Sequence, residues 1–240
     1  SLALFQYMLS LFGKDSLNSL CDEMKEESWE GRDEQNISRH YHFLTTQLFE
    51  FPGVTKEQLL RYDQNITEHT LTICGRRGAF RWKYFQYMAL LFAEIYLDKY
   101  FNHFQGLLDG LNAQVDKLNA ERGTSDKLDP YTPDDLNKIA FWQATGSGKT
   151  LIMHVNILQY RHYLEKAGKR GDLNRIILLT PNEGLSAQHL DEFELSGLDA
   201  EIFNKDGQSL FASKSIEIID IHKLKEEGKE KTVSVDAFEG

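Results

Sequence analysis

The sequence predicts an α/β protein, a parallel sheet with flanking helices preceded by an all-helical N-terminal domain. Three observations carry that expectation. From Ser1 to about Asn119 apolar residues recur at spacings of three and four, the period of a helix with one buried face. Between Glu121 and Pro133 the composition turns to Gly, Ser, Asp and Pro, as in a loop or linker. Beyond it short apolar runs alternate with helical stretches, the order of a parallel sheet covered by helices on both faces. The expected domains are residues 1-125 and 126-240.

Taken in order, Leu2, Phe5, Leu9 and Phe12 form a first helical stripe, and Tyr84, Tyr87, Leu91 and Ile95 a later one. Phe51-Pro52-Gly53 and Gly75-Arg76-Arg77-Gly78 break the pattern, because Pro and Gly cannot continue a helix without cost. Thr55 marks a helix start: its hydroxyl can accept from a free first-turn amide, with Gln58 placed to reciprocate. The acidic run from Cys21 to Glu34 reads as a solvated face or loop. In the second half, Ile139 to Ala144 is expected as a strand, Thr150 to Tyr163 as a helix and Arg175 to Thr180 as a buried strand. A helix over Glu183 to Phe193 follows, then strands near Ala200 to Phe203, Ile216 to Asp220 and Thr232 to Val235.

Composition narrows the function classes. With 41% hydrophobic and 12% aromatic residues in 240, the chain can bury a core. Its formal charge of -10 argues against coating nucleic acid by bulk electrostatics, so any such contact must be local. Cys21 and Cys74 stand far apart, which supports neither a disulfide framework nor a zinc site and fits a cytoplasmic setting. The longest apolar run, Tyr84 to Leu97, is interrupted by Gln86 and Glu94 and is too short to cross a bilayer, so no membrane is expected. The chain opens on Ser1 and breaks off in an apolar stretch, reading as part of something longer.

The chemistry-bearing motif is Ala144-Thr145-Gly146-Ser147-Gly148-Lys149-Thr150. A polyphosphate is best held where a strand turns into a helix, since unpaired amides and the positive end of the helix dipole point at the anion. Gly146 and Gly148 leave the main chain bare for that approach, Lys149 supplies charge to the terminal phosphates, and the Thr150 hydroxyl can ligate magnesium. ATP and Mg are the expected cofactors. His40-Tyr41-His42 lacks a third metal ligand, and Glu23-Met24-Lys25 reads as helix surface. The aromatic stripe Phe80, Tyr84, Tyr87, Leu91 and Phe92 reads as packing.

Gln143 through Thr150, followed by Leu178-Leu179-Thr180-Pro181-Asn182, Leu185 and Gln188, resembles superfamily-two helicases, with restriction-type translocases as the nearest relatives. The resemblance implies a RecA-like ATPase lobe and nucleic acid, DNA in particular, as partner. It places Thr180, Pro181, Asn182 and Gln188 on the nucleic-acid surface; a strand end opening into a helix offers donors to phosphates, and equally explains these residues as a helix cap. Arg81-Trp82-Lys83-Tyr84-Phe85-Gln86 resembles the segment with which this superfamily recognises adenine, making Gln86 the candidate contact. Ile218-Ile219-Asp220-Ile221-His222-Lys223-Leu224 is placed like a further strand-end motif, most of it core.

Hydrolysis needs a second acidic strand end. Asp236 follows a strand-like run, but Ala237 stands where a Glu is required, so the acidic pair is expected after Gly240 and turnover by residues 1 to 240 alone is expected to be negligible. Two functions are then in play. One is an ATP-driven DNA translocase or helicase subunit of a restriction or antiphage defence system, with a nuclease or methyltransferase partner subunit. The other is a nucleotide-gated interaction protein whose helical domain recruits a partner without turnover.

Overall fold

The structure is a computed structural model that describes residues 2–47, 53–122, 127–203 and 216–224. Phe51 and Pro52, the expected strand from Thr232 to Val235, and the Asp236-Ala237 pair lie outside the described residues. The chain divides into two compact units: residues 1–71 with 79–168, and residues 72–78 with 169–240.

The first unit is helical: α1 (Ala3–Leu11), α2 (Leu17–Cys21), α3 (Arg39–Gln47), most of α4 (Lys56–Cys74), α5 (Tyr84–Asn102), α6 (Phe104–Ala120) and α7 (Lys149–Lys166). The start of α4 is the reciprocal pair expected from sequence: Gln58 N–H donates to Thr55 Oγ1 at 3.2 Å and Thr55 N–H to Gln58 Oε1 at 2.8 Å. α5 is the central element. Leu90, Leu91 and Ile95 are fully enclosed and Tyr87, Met88, Ala93 and Tyr96 nearly so, as expected of a helix apolar on most sides. Enclosing one such leucine contributes about 2 kcal/mol. α6 lies against α1, where Gly110 lets the Tyr7 ring approach the helix backbone; a Cβ there would collide with the ring. The acidic run is irregular, with short 3-10 turns at Glu23–Lys25 and Glu27–Trp29, and its Glu30 pairs with Lys83 at 2.7 Å.

The second unit holds a three-stranded parallel sheet of order β1-β3-β2, formed by β1 (Ile176–Thr180), β2 (Ala200–Ile202) and β3 (Ile216–Asp220). Ile176 pairs with Ile216 and Thr180 with Asp220, while Ala200 pairs with Ile216 on the other side. β3 is central and buried at all five positions, as a strand flanked on both sides in a parallel sheet is, although two of the five, Glu217 and Asp220, are carboxylates. Its Glu217 is met by Arg175 at 3.3 Å. α8 (Glu183–Leu195) packs against all three strands. Arg77, from the Gly75–Gly78 break, closes the C-terminal end of α8: it pairs with the Glu192 carboxylate at 2.6 Å, donates to the Glu192 carbonyl, and reaches Ser196 Oγ at 3.0 Å. The α/β class with a partial parallel sheet after a helical region is as expected.

One element differs. Ile139 to Ala144, expected as a strand, takes no regular secondary structure and pairs with no strand among the described residues. An apolar run becomes a strand only by exchanging main-chain hydrogen bonds with a neighbour, and its own residues do not specify that neighbour. In consequence Ile139 and Phe141 are largely exposed and Trp142 is 93% exposed. No helix among the described residues is long and apolar enough to cross a membrane.

Candidate nucleotide-binding site

The loop from Ala144 to Gly148 turns tightly before α7. Gly146 (φ 77°) and Gly148 (φ 81°) both occupy the left-handed region, which side-chain-bearing residues adopt only with strain. Ser147 N–H closes the turn on the Ala144 carbonyl at 3.3 Å. Gly148 immediately precedes Lys149, the first residue of α7, so the unpaired first-turn amides of that helix begin at the loop.

Gln86 reaches this loop from the first turn of α5. Its Nε2 donates to the Ser147 carbonyl at 2.8 Å, while its Oε1 accepts the Lys83 N–H at 2.9 Å. A Cβ at Gly148 would stand 2.5 Å from Gln86 Nε2, the far end of a flexible side chain, so a side chain there would push the Gln86 amide off the loop, and the left-handed backbone angle favours glycine besides. At Gly146 a Cβ would meet nothing within 4 Å, so that position is open above the loop. The long interval between Gln86 and the loop is spanned by α5, α6 and the linker.

The Lys149 ammonium folds back over the loop, donating to the carbonyls of Gln143 and Ala144 at 3.2 Å each. Thr145, Gly146 and Lys149 are exposed; Ser147, Gly148 and Thr150 are half-buried. A bare, solvent-facing turn at a helix N-terminus with one ammonium beside it fits a polyphosphate, and Thr150 stands one residue into the helix with a hydroxyl suited to a hard cation. Among the described residues no three His, Cys, Asp or Glu side chains cluster to hold a metal by themselves.

The strand-end residues divide by role. Thr180 is buried; its hydroxyl shares a 2.6 Å hydrogen bond with Ser186 Oγ and also faces the Ile219 carbonyl at 3.3 Å. Pro181, Asn182 and Gln188 are exposed. Asn182 is the N-cap of α8, its Oδ1 accepting the Leu185 N–H at 2.9 Å. In the motif at the end of β3, Ile218 and Ile219 are enclosed, whereas His222 is exposed and its N–H donates to Asp220 Oδ1 at 2.9 Å.

The paired histidines have separate partners. His40 Nε2 donates to the Trp82 carbonyl at 3.0 Å, and His42 Nε2 meets Asp33 at 2.7 Å. Lys25 pairs with Asp22 at 2.6 Å. Sequence reasoning did not anticipate the attachment of α7 to α5. Gln159 Nε2 donates to the Leu90 carbonyl at 3.0 Å and Tyr163 Oη to the Glu94 carboxyl at 2.7 Å. Its signal was the pair of polar residues two turns apart, Gln86 and Glu94, in the otherwise apolar run from Tyr84 to Leu97.

A glycine-rich loop opening a helix, with a partial parallel sheet elsewhere in the same chain, agrees with the class that the family match gives, restriction-type, helicase-like ATPases. The family described as "Type III restriction enzyme, res subunit" matches residues 98–239, and the chain belongs to it, within helicase superfamily 2. Gln86 lies ahead of the matched residues. No curated protein and no solved structure matches the chain.

Proposed function

We propose that this chain is the nucleotide-binding part of an ATP-driven DNA translocase or helicase subunit in a restriction or antiphage defence system of the cytoplasm. The observation that carries the reading is the bare left-handed turn at 146–148 running directly into α7 with Lys149 at its first position. In this reading the loop amides and Lys149 hold the phosphates, and Thr150 offers its hydroxyl to magnesium. When bound, the magnesium triphosphate supplies the phosphoryl group that passes to water. Thr145, Gly146, Ser147 and Gly148 shape the cradle, and Gln86 supports it at the adenine side of the loop. Pro181, Asn182 and Gln188 present the polar turn at the start of α8 to the nucleic-acid backbone, with Thr180 fixing that turn from inside. The helical domain, residues 1-125, docks the motor to a nuclease or methyltransferase subunit.

The test is Lys149→Ala in the intact protein. Loss of nucleic-acid-stimulated ATP turnover with the fold retained supports the proposal. Unchanged turnover, or a change confined to binding of a protein partner, defeats it in favour of a nucleotide-gated interaction protein.

A further inference from the structure

The face of α5 that meets α7 carries Gln86, Leu90 and Glu94, each one helical turn from the next. Gln86 holds the loop, Leu90 offers its carbonyl to Gln159, and Glu94 takes the hydroxyl of Tyr163. Glu94 has no solvent exposure at all. Its two oxygens differ. Oε2 accepts twice, from Tyr163 Oη at 2.7 Å and from Asn65 Nδ2 on α4 at 3.0 Å, whereas Oε1 is buried without a donor among the described residues. Gln159, also fully buried, likewise has its Oε1 without a donor.

That asymmetry is the pattern of a carboxylic acid: a carbonyl oxygen accepting two hydrogen bonds and a hydroxyl oxygen accepting none. An ionised carboxylate would have one oxygen stripped of water and left unpaired. The charged neighbour on α5 is Asp98, a second carboxylate, already met by Arg61 at 2.8 Å and Tyr62 at 2.5 Å from α4. On α7 the facing titratable group is Tyr163. Burial pushes the Glu94 carboxyl up to about 7, with Asp98 adding to the rise and the hydrogen bonds of Asn65 and Tyr163 opposing it.

We propose that Glu94 is carried as a neutral carboxylic acid between α4, α5 and α7 and is a positioning residue for the phosphate loop, acting through Tyr163. Oε2 keeps Tyr163 and Asn65, and the proton resides on Oε1. Loss of the proton to solvent places a bare negative charge beside Asp98 and loosens α7, the helix on which the loop is mounted. The second half rests on the nucleotide reading above.

Two measurements on the chain separate the halves. In the first, the side-chain carboxyl carbon of Glu94 is followed by NMR against pH, assigned by the signal missing in Glu94→Gln. A midpoint near neutrality supports the proposal, and one in the ordinary carboxylate range overturns it. In the second, Mg-ATP affinity is measured for wild type and Glu94→Gln from about pH 6 to about pH 8; the ratio cancels the ionisation of ATP itself. The Kd ratio of wild type to variant is expected to rise several-fold across that range, because glutamine keeps a carbonyl and a donor without the charge. A flat ratio overturns the coupling to the loop. Should Glu94→Gln not fold, Tyr163→Phe removes one donor to the carboxyl; it is expected to raise the midpoint and weaken Mg-ATP binding, and no change in either overturns the role. Absence of Mg-ATP binding by every form at every pH overturns the nucleotide reading and the coupling with it, while the carbon titration still decides the proton.

Discussion

The side-chain amide of Gln86 donates to the main-chain carbonyl of Ser147 at 2.8 Å, joining positions 61 residues apart. With Oε1 already taken by Lys83 N–H, both polar atoms of Gln86 are engaged in holding the loop against the start of α5. Gly148 is the point of closest approach. Gly148→Ala is expected to cost about 1–2 kcal/mol, the sum of left-handed strain and collision with Gln86. In a Gln86→Ala background the collision disappears, so the same substitution is expected to cost only the strain, about 1 kcal/mol. Urea unfolding of the four forms checks this, and additive costs would refute the packing argument.

How far that relationship was legible in the sequence is instructive. Helical period placed α5, α7 and α8, and the apolar run at 176–179 placed β1, because these patterns report local burial. The left-handed turn was legible from Gly146 and Gly148 themselves. Partnerships between distant residues were not. Ile139 to Ala144 has the composition of a strand and no strand partner among the described residues. Glu94 read as an interruption of an apolar run, and nothing near it in sequence showed that Asn65 and Tyr163 converge on its carboxyl.

Asn182 allows the cap and the nucleic-acid contact to be told apart. Its Oδ1 accepts the Leu185 N–H, so Asn182→Ala is expected to cost about 1 kcal/mol of stability whatever else the residue does. Asn182→Asp keeps an equally good cap and adds a negative charge. If the exposed amide faces a phosphate backbone, Asn182→Asp is expected to restore stability yet weaken DNA binding by the intact protein, with the loss easing as salt is raised. Wild-type DNA affinity in Asn182→Asp would leave the residue as a cap alone.

Arg77 is expected to matter to the second unit out of proportion to its place in a break. Its guanidinium pairs with the Glu192 carboxylate, donates to the Glu192 carbonyl and reaches Ser196 Oγ, and its side chain is mostly shielded. Arg77→Ala removes all three contacts and is expected to cost about 2 kcal/mol. Arg77→Lys is expected to recover little of this, since a single ammonium cannot span carboxylate, carbonyl and hydroxyl as the planar fork does. Chemical unfolding monitored by circular dichroism gives both numbers, and full recovery in Arg77→Lys would reduce the contact to simple charge.

Acid stability should report His69. The ring is buried against His162, with centroids 5.5 Å apart, and its Nε2 has no hydrogen-bond partner among the described residues. Burial, followed by repulsion from His162, pushes it down to about 4. A histidine depressed in the folded state binds its proton more readily when unfolded. Its stabilising contribution is therefore complete above the ordinary histidine value and is lost as pH falls from about 6.5 towards 4. The loss is on the order of 2–3 kcal/mol at the lower limit. His40, lowered by burial as well, acts with the same sign. Glu94 acts oppositely, since a carboxyl raised in the folded state contributes stability that is complete below its ordinary value and declines as pH rises towards about 7. The two slopes overlap in mildly acidic solution and partly cancel in the wild type. Glu94→Gln is therefore expected to reveal a steeper fall in melting temperature on acidification below about pH 6.5 than the wild type shows, and His69→Phe a shallower one. A Glu94→Gln profile no steeper than wild type would mean that these two buried groups do not set the acid limb of stability.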